Sequence, residues 1–324
     1  MTDRVRVAVV CFNSASVLPG LLHSLPAACA GVDWELVVAD NASGDDSLAV
    51  VASRAPGAQV VRMGRNAGYA AGINAAAGLP GDFGALLAIN PDVRLEPGAV
   101  GRMLAALDEP GTGIVVPRLD GADGRLVPTL RRRPTVLRAL GEALLGGERS
   151  GRFAPLGEVV TDPRAYRSAR VADWASGAVM LVSAACLAAT GAWDESLLLY
   201  SEETEFALRA ADTGFRLRYV PAARGVHIGG DAHRSPMLWS LLTVNRVRLF
   251  ARRHGPVRSA AFRGAVVANE ALRALAGRRT SRAALAALLR PSRRLTSLPP
   301  APAAAGAGPG GRDRPAGTGG GVVR

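Results

Sequence analysis

The first ninety residues alternate short apolar runs with longer amphipathic stretches. Residues 5–10, 34–39, 59–63 and 86–89 are runs of strand length. Each stops at a polar cluster: Asn13-Ser14, Asp40-Asn41-Ala42-Ser43, Asn66-Ala67-Gly68-Tyr69 and Asn90-Pro91-Asp92. Nearly continuous apolar runs suit strands buried on both faces of a parallel sheet. The intervening stretches 16–25, one ending near 54, and 70–77 read as helices, with Ser14 or Ser16 as the first N-cap. Four strands alternating with helices at this spacing predict a doubly wound α/β domain.

The end of the fourth run carries the most chemistry. Pro91 has no N–H for a ladder and biases Asn90 toward extended backbone, so the chain leaves the sheet there. Ligands of open α/β sheets collect at the carboxyl ends of the strands. Asn90 and Asp92 would then present oxygens at the functional edge, where hard ligands suit Mg2+ or Mn2+ bridging a diphosphate. An ordinary turn is the competing reading. No GxGxxG follows the first strand and no GxxxxGK[ST] occurs. A nucleotide must therefore be held by strand-end side chains and a divalent metal.

Further along, 97–107 reads as a helix and 114–117 as a strand. The pattern weakens over 120–170, with an arginine run at 131–133 and an amphipathic piece at 135–145. This is an insertion across the mouth of the site or a mobile solvated loop. Order returns with a strand at 176–182, a short helix at 184–190, and a helix opened by Glu202, Glu203 and Glu205, acids that complement its dipole. A strand over 215–219 is expected to close at Pro221. Beyond it, 236–254, 257–276 and 281–289 read as helices with apolar stripes and arginine faces. The Pro, Ala and Gly of 299–321 predict disorder.

Charge sharpens the division. Residues 1–230 hold 22 Arg against 24 acids, whereas 231–324 hold 17 Arg against three, so the net +12 belongs to the tail; no lysine occurs. Such a tail could meet nucleic acid or an anionic membrane surface. No aromatic-interleaved basic patch supports nucleic acid, which is set aside. Cys11, Cys29 and Cys186 form no CxxC pair, which argues against a zinc site or disulfide framework and fits a reducing, cytoplasmic setting. The N-terminus has no signal-peptide pattern. The uncharged stretch 174–193 has the length of a membrane span. Its Ala, Ser, Gly and Thr content fits a buried strand and short helix better, so the chain is expected to be soluble.

Taken together, these residues form a recognisable series. It runs from 9–14 through Val38-Ala39-Asp40-Asn41-Ala42-Ser43, Asn66-Ala67-Gly68-Tyr69, Asn74 and Asn90-Pro91-Asp92. It continues with Trp174, Ser176-Gly177 and Gly191-Ala192-Trp193-Asp194-Glu195, and ends with Tyr200-Ser201-Glu202-Glu203-Thr204-Glu205, Tyr219-Val220-Pro221 and His227. Over about 5–250 the chain resembles inverting glycosyltransferases of family 2, and among them the bacterial rhamnosyltransferase-like group. The resemblance implies a GT-A fold, a doubly wound mixed sheet, over 1–230. Basic amphipathic helices would follow over 231–296 and a disordered tail over 297–324.

The resemblance also implies roles. Phe12, Asn13, Asp40 and Asn41 would hold the base and ribose of a nucleotide-sugar, while Asn66, Gly68, Asn74 and Asn90 line its pyrophosphate side. Arg209 would face the diphosphate. Asp92 and His227 would hold Mg2+ or Mn2+. Trp174, Ser176 and Gly177 would bind the acceptor, a saccharide or polyprenyl-diphosphate-linked saccharide of a cell envelope. Glu203 stands where the family carries its catalytic Asp, one methylene longer. The implied donor is dTDP-L-rhamnose. A relative that binds nucleotide-sugar without transferring it, and a transferase acting on a small natural product, are the alternatives. The tail would either lie on the inner face of the plasma membrane, with Trp239, Leu242 and Phe250 in the headgroups and Arg246, Arg252 and Arg253 on anionic lipid, or simply pack its helices on the catalytic domain.

Overall fold

In the computed structural model, which describes residues 4–229 and 235–301, the run Val5–Cys11 forms a fully buried strand, β1. In chain order follow α1 (Leu18–Ala28), β2 (Trp34–Asp40), α2 (Ser47–Arg54), β3 (Gln59–Arg62), α3 (Tyr69–Ala77), β4 (Ala85–Ile89), β5 (Val93–Leu95), α4 (Ala99–Leu107) and β6 (Thr112–Gly121). Next come β7 (Leu130–Arg131), α5 (Val136–Leu145), α6 (Gly147–Ser150), β8 (Arg170–Ala172), β9 (Trp174–Ala175), β10 (Val179–Ser183) and α7 (Ala184–Thr190). The chain continues with α8 (Glu202–Asp212), β11 (Arg216–His227), α9 (Pro236–Arg253), α10 (Pro256–Leu275) and α11 (Arg279–Leu289).

The main sheet has the order β3-β2-β1-β4-β10-β6-β11-β5, with β8 also paired to β11. Strands β1 to β4 are mutually parallel, and β10 enters antiparallel between β4 and β6, which makes the sheet mixed. Strand side chains alternate between two helical layers with period two. Val5, Val7 and Val9 face Leu18, Leu21 and Leu25 of α1 and Met103 of α4. Ala8 and Val10 face Ala70 and Ile73 of α3, in the layer that also holds Phe206 and Ala207 of α8.

Strand β11 does not close at Pro221. It runs on to His227 through a register shift between Val220 and Arg224. A residue without an N–H is tolerated where the ladder is interrupted. The second half of the strand then pairs antiparallel with β5, setting His227 opposite Val93. The stretch 120–170 is also more ordered than a solvated loop. It supplies β7, which pairs with β9, and α5, whose Thr135 cap accepts a hydrogen bond from Arg138 N at 3.2 Å.

The three C-terminal helices form a third layer. Phe250, Phe262, Ala265, Val266 and Leu288 share a core with Ala139 of α5. This corrects the expected lipid-facing residues. Phe250 is stacked between Phe262 at 4.0 Å and His254 at 3.9 Å. Arg246 donates to Glu142 and Glu158, each at 2.7 Å. Arg252 pairs with Asp194 and Arg253 with Asp212. Trp239 donates to Glu270 at 2.9 Å and, with Leu242, lines a cavity. An apolar stripe does not reveal which way a helix is rolled, and here it is rolled inward. Among the described residues, no helix is long and apolar enough to cross a membrane. From residue 302 on, the expected disordered tail lies outside the described residues.

Candidate active site

Buried β4 ends where Asn90 N bonds Ala178 O at 2.9 Å and Val93 N bonds Asn90 O at 3.3 Å, turning Asp92 out at the sheet edge. The β5–β11 register delivers His227 to the same place, with its Nε2 3.4 Å from Asp92 Oδ2. A Cβ on Gly229 would lie 2.3 Å from that oxygen and 3.0 Å from His227 Nε2, so the close approach requires glycine. Asp92 Oδ1 is buried and has no hydrogen-bond partner among the described residues. A buried, unpartnered carboxylate oxygen is costly unless something binds it. Carboxylate and imidazole together suit Mn2+ or Mg2+, with the remaining positions left to phosphate oxygens and water. Among the described residues, no group of three or more His, Cys, Asp or Glu that could hold a metal ion converges. The residues present fit a divalent cation.

The acids at the start of α8 are delivered by a strained turn. Leu198, Tyr200 and Ser201 have φ of 62°, 68° and 75°, a region that L-residues with a Cβ rarely adopt. Such strain persists only where the surroundings over-determine it. Here Asn245 of α9 does so, its Nδ2 donating to the carbonyls of Leu197, Leu199 and Tyr200 at 2.6, 3.0 and 3.0 Å. From the other side Tyr69 N bonds Leu198 O at 3.1 Å. Gly68, at φ 94°, permits this contact, because a Cβ there would lie 2.0 Å from Leu198 O. Gly177 does the same for α8, since its Cβ would lie 3.2 Å from Glu203 Cβ.

The turn sets Glu202 and Glu203 side by side, and Oε2 of each is buried without a hydrogen-bond partner among the described residues. Burial raises the Glu203 pKa; the helix N-terminal amides and the Arg131 guanidinium oppose the rise. Glu202 is pushed well above the usual carboxylate range, by burial first and then by the charge of Glu203. Buried, proton-accepting carboxylates of this kind mark sites of chemistry.

Both acids face a cavity of about 450 Å³ that also reaches Asn90, His227, Ser176 and Gly177. Trp174 forms part of its wall, donating from Nε1 to Arg132 O at 3.0 Å, and Arg131 lies 5.7 Å from the indole centroid. The opposite wall comes from Glu142 of α5, Leu242 and Arg246 of α9, and Val266 and Arg273 of α10. His227, the predicted acceptor residues and the predicted base thus share one space, walled on one side by the C-terminal layer, with Asp92 3.4 Å from His227 at its edge.

Apart from Asn90, the predicted nucleotide residues do not line that cavity; Phe12, Asn13, Asp40 and Asn41 sit at the ends of neighbouring β1 and β2, where Cys11 pairs with Asp40. Phe12 is half-buried, and Asn13, at φ 53°, accepts from Gly44 N at 2.8 Å. Asp40 is buried and accepts from Ser43 N at 3.2 Å. Other members of the set hold loops together. Asn41 donates to Gly68 O at 3.0 Å and accepts from Ala67 N at 3.3 Å. Asn74 pairs with Trp193 N and O, both at 2.9 Å, and with Glu195. Asn66 donates to Pro299 O at 3.2 Å. Arg209 directs four of its five donors to Glu205 and to the carbonyls of Thr190 and Ala192, a scaffold arrangement that ties α8 to the end of α7.

Three site residues were not singled out by sequence reasoning. Glu202 was masked among three consecutive-turn acids that read as solvated. Arg131 was hidden in an arginine run, and Asn245 gave no signal in a helix of leucines and arginines.

Comparison with known proteins gives the family and the fold. Residues 6–166 match the family profile described as Glycosyl transferase family 2. The N-acetylglucosaminyl-diphospho-decaprenol L-rhamnosyltransferase of Mycobacterium tuberculosis is 29% identical over 241 residues, 70% of this chain and 76% of that protein. Rhamnosyltransferase WbbL of Escherichia coli K12 is 34% identical over 65 residues, 20% of this chain and 25% of WbbL. Among solved structures, the mannosyltransferase PcManGT from Pyrobaculum calidifontis, in complex with GDP-Man and Mn2+, aligns with TM-score 0.50 at 17% identity. That alignment covers 89% of this chain and 79% of PcManGT. GalNAc-T7 with UDP, GalNAc and Mn2+ aligns with TM-score 0.50 at 16% identity, over 69% of this chain and 44% of that one. The fold is GT-A, and the chain, a glycosyltransferase, belongs to glycosyl transferase family 2 through its domain at 6–166.

Proposed function

We propose that the chain transfers L-rhamnose from dTDP-L-rhamnose to an N-acetylglucosaminyl diphosphate carried on a polyprenyl chain, with inversion at the anomeric carbon. The observation that carries the reading is the unpartnered Glu203 carboxylate oxygen, facing the same cavity as His227 and Asn90. The substrate classes follow the mycobacterial relative, whose name gives a diphospho-decaprenol acceptor and L-rhamnosyl transfer.

In this reading an acceptor hydroxyl occupies the hydrogen-bond vacancy at Glu203 Oε2. Glu203 takes its proton as the oxygen attacks the anomeric carbon from the face opposite the diphosphate. The bond to the nucleoside diphosphate breaks, and its electron pair leaves with the diphosphate. A raised pKa suits a general base, which works best near the operating pH. Glu202, held protonated beside it, keeps the pair from carrying two adjacent negative charges. Arg131 helps to hold Glu203 ionised. A divalent cation held by Asp92 and His227 would neutralise the charge developing on the diphosphate. Trp174 offers an apolar ring face for the acceptor sugar.

The test is thermal stabilisation by a panel of nucleotide-sugars with and without Mn2+, followed by mass analysis of the product formed on a short-chain GlcNAc diphosphate lipid. Ligand linkage should single out dTDP-L-rhamnose with metal, and the acceptor should gain one deoxyhexose. Stabilisation by another donor alone, or donor binding with no transfer, would replace this reading with one of the alternatives.

A further inference from the structure

Helix α10 is apolar on two faces. Phe262, Ala265 and Val266 point inward and pack on α5 and α9. On the outer side Val257, Ala261, Gly264, Ala268, Leu272 and Leu275 are all exposed. Their spacing of three or four residues makes one continuous stripe, on a helix about 30 Å long. The outer side of a surface helix is normally polar. Here Val257 is 83% exposed and Leu275 85%.

The neighbouring helix repeats the pattern. Helix α5 packs on α10 through Val136 and Ala139, while Leu137, Leu140 and Leu144 stand exposed at spacings of three and four. Exposed apolar stripes on two helices that pack together mark an interaction site rather than ordinary solvent exposure. The stripe is bordered by Arg258, Arg278 and Arg279, exposed and without an ion pair among the described residues. The same two helices wall the cavity, through Glu142 of α5 and Val266 and Arg273 of α10.

We propose that the outer faces of α5 and α10 form a seat for an anionic lipid bilayer, with the leucines at the headgroup boundary and the three arginines on lipid phosphates. Charge decides the occupant. A chain of net +12 with an arginine border repels a second copy of itself, and is drawn to an anionic surface. With no helix fit to cross among those described, the contact is interfacial. The seat deepens the transfer reading, on which its purpose rests: an acceptor whose lipid stays in the bilayer would meet the cavity between the helices that touch the membrane.

The experiment is flotation of the full chain with vesicles of equimolar phosphatidylglycerol and phosphatidylcholine, against vesicles of phosphatidylcholine alone, at low salt. Wild type should float with the anionic vesicles only. Leu272→Ser with Leu275→Ser should weaken binding by about tenfold or more. Arg258→Gln, Arg278→Gln and Arg279→Gln should each weaken it by about fivefold. None of these residues lines the cavity, so transfer to a water-soluble acceptor should stay at the wild-type level. Unchanged flotation of both sets of variants overturns the seat, as does equal binding to uncharged vesicles. Sedimentation showing a dimer that the leucine variant dissolves would assign the face to a second copy instead. Absent transfer by wild type to the soluble acceptor would count against the transferase reading, while flotation speaks to the seat alone.

Discussion

Glu203 and Glu202 are adjacent, and the proposed mechanism gives them different work. Glu203→Gln keeps shape and removes the proton acceptor, so turnover on the soluble acceptor should fall by about 10²–10⁴-fold while donor affinity by calorimetry stays near wild type. Because the Glu203 pKa is raised, the ascending limb of the wild-type pH–rate profile should lie above the range of a free glutamate. Glu202 predicts an effect on stability. The unfolded chain releases its proton in the ordinary glutamate range, whereas the folded chain holds it to higher pH. Between those values the native state binds more protons, so stability falls as pH rises. Glu202→Gln should therefore melt higher than wild type at neutral pH, with the difference vanishing below about pH 4. The Asn90-Pro91-Asp92 turn was legible because an apolar run ends abruptly at oxygen-bearing side chains. The burial of Glu202 was not: three acids in a first helical turn look solvated until the strained turn buries them. Asp92→Asn should abolish the effect of Mn2+ on nucleoside diphosphate affinity in calorimetry, and an unchanged effect would remove Asp92 from the metal site.

At the scale of elements, the decisive contacts join segments far apart in the chain. His227 meets Asp92 because β11 passes its register shift and pairs with β5. No local pattern specifies that pairing, and Pro221 argued against it; only the family resemblance pointed to His227. The turn at 197–201 depends in the same way on Asn245, a single side chain from α9. Asn245→Ala removes three side-chain hydrogen bonds to carbonyls beside three residues of positive φ. It should cost about 1–3 kcal/mol of stability in chemical denaturation. It should also lower kcat by up to about 10²-fold by shifting Glu203, with donor affinity little changed. Equal loss of donor affinity would make Asn245 a general stability residue. The parallel strands and their helices were readable because period and punctuation are local. The rolled orientation of α9 was not, because its partners Glu142 and Glu158 sit about a hundred residues away.

For the whole molecule, the C-terminal helices complete the site as its third wall. The ion triad of Arg246 with Glu142 and Glu158 fastens α9 to the segment that precedes and follows α6. Removing the arginine alone leaves two buried carboxylates uncompensated, so Arg246→Met should cost about 3–5 kcal/mol at neutral pH. That loss should shrink in acid, where the carboxylates can take up protons. The arginine excess of the tail is therefore partly internal, while Arg258, Arg278 and Arg279 stay exposed at the ends of α10. The central claim, that this assembly performs inverting sugar transfer with Glu203 as base, is tested most directly by one measurement. Proton NMR of the product formed from dTDP-L-rhamnose and a soluble GlcNAc diphosphate acceptor should show a new glycosidic bond of inverted anomeric configuration, and almost none with Glu203→Gln. A retained configuration, or near-normal product from the Gln variant, would contradict it.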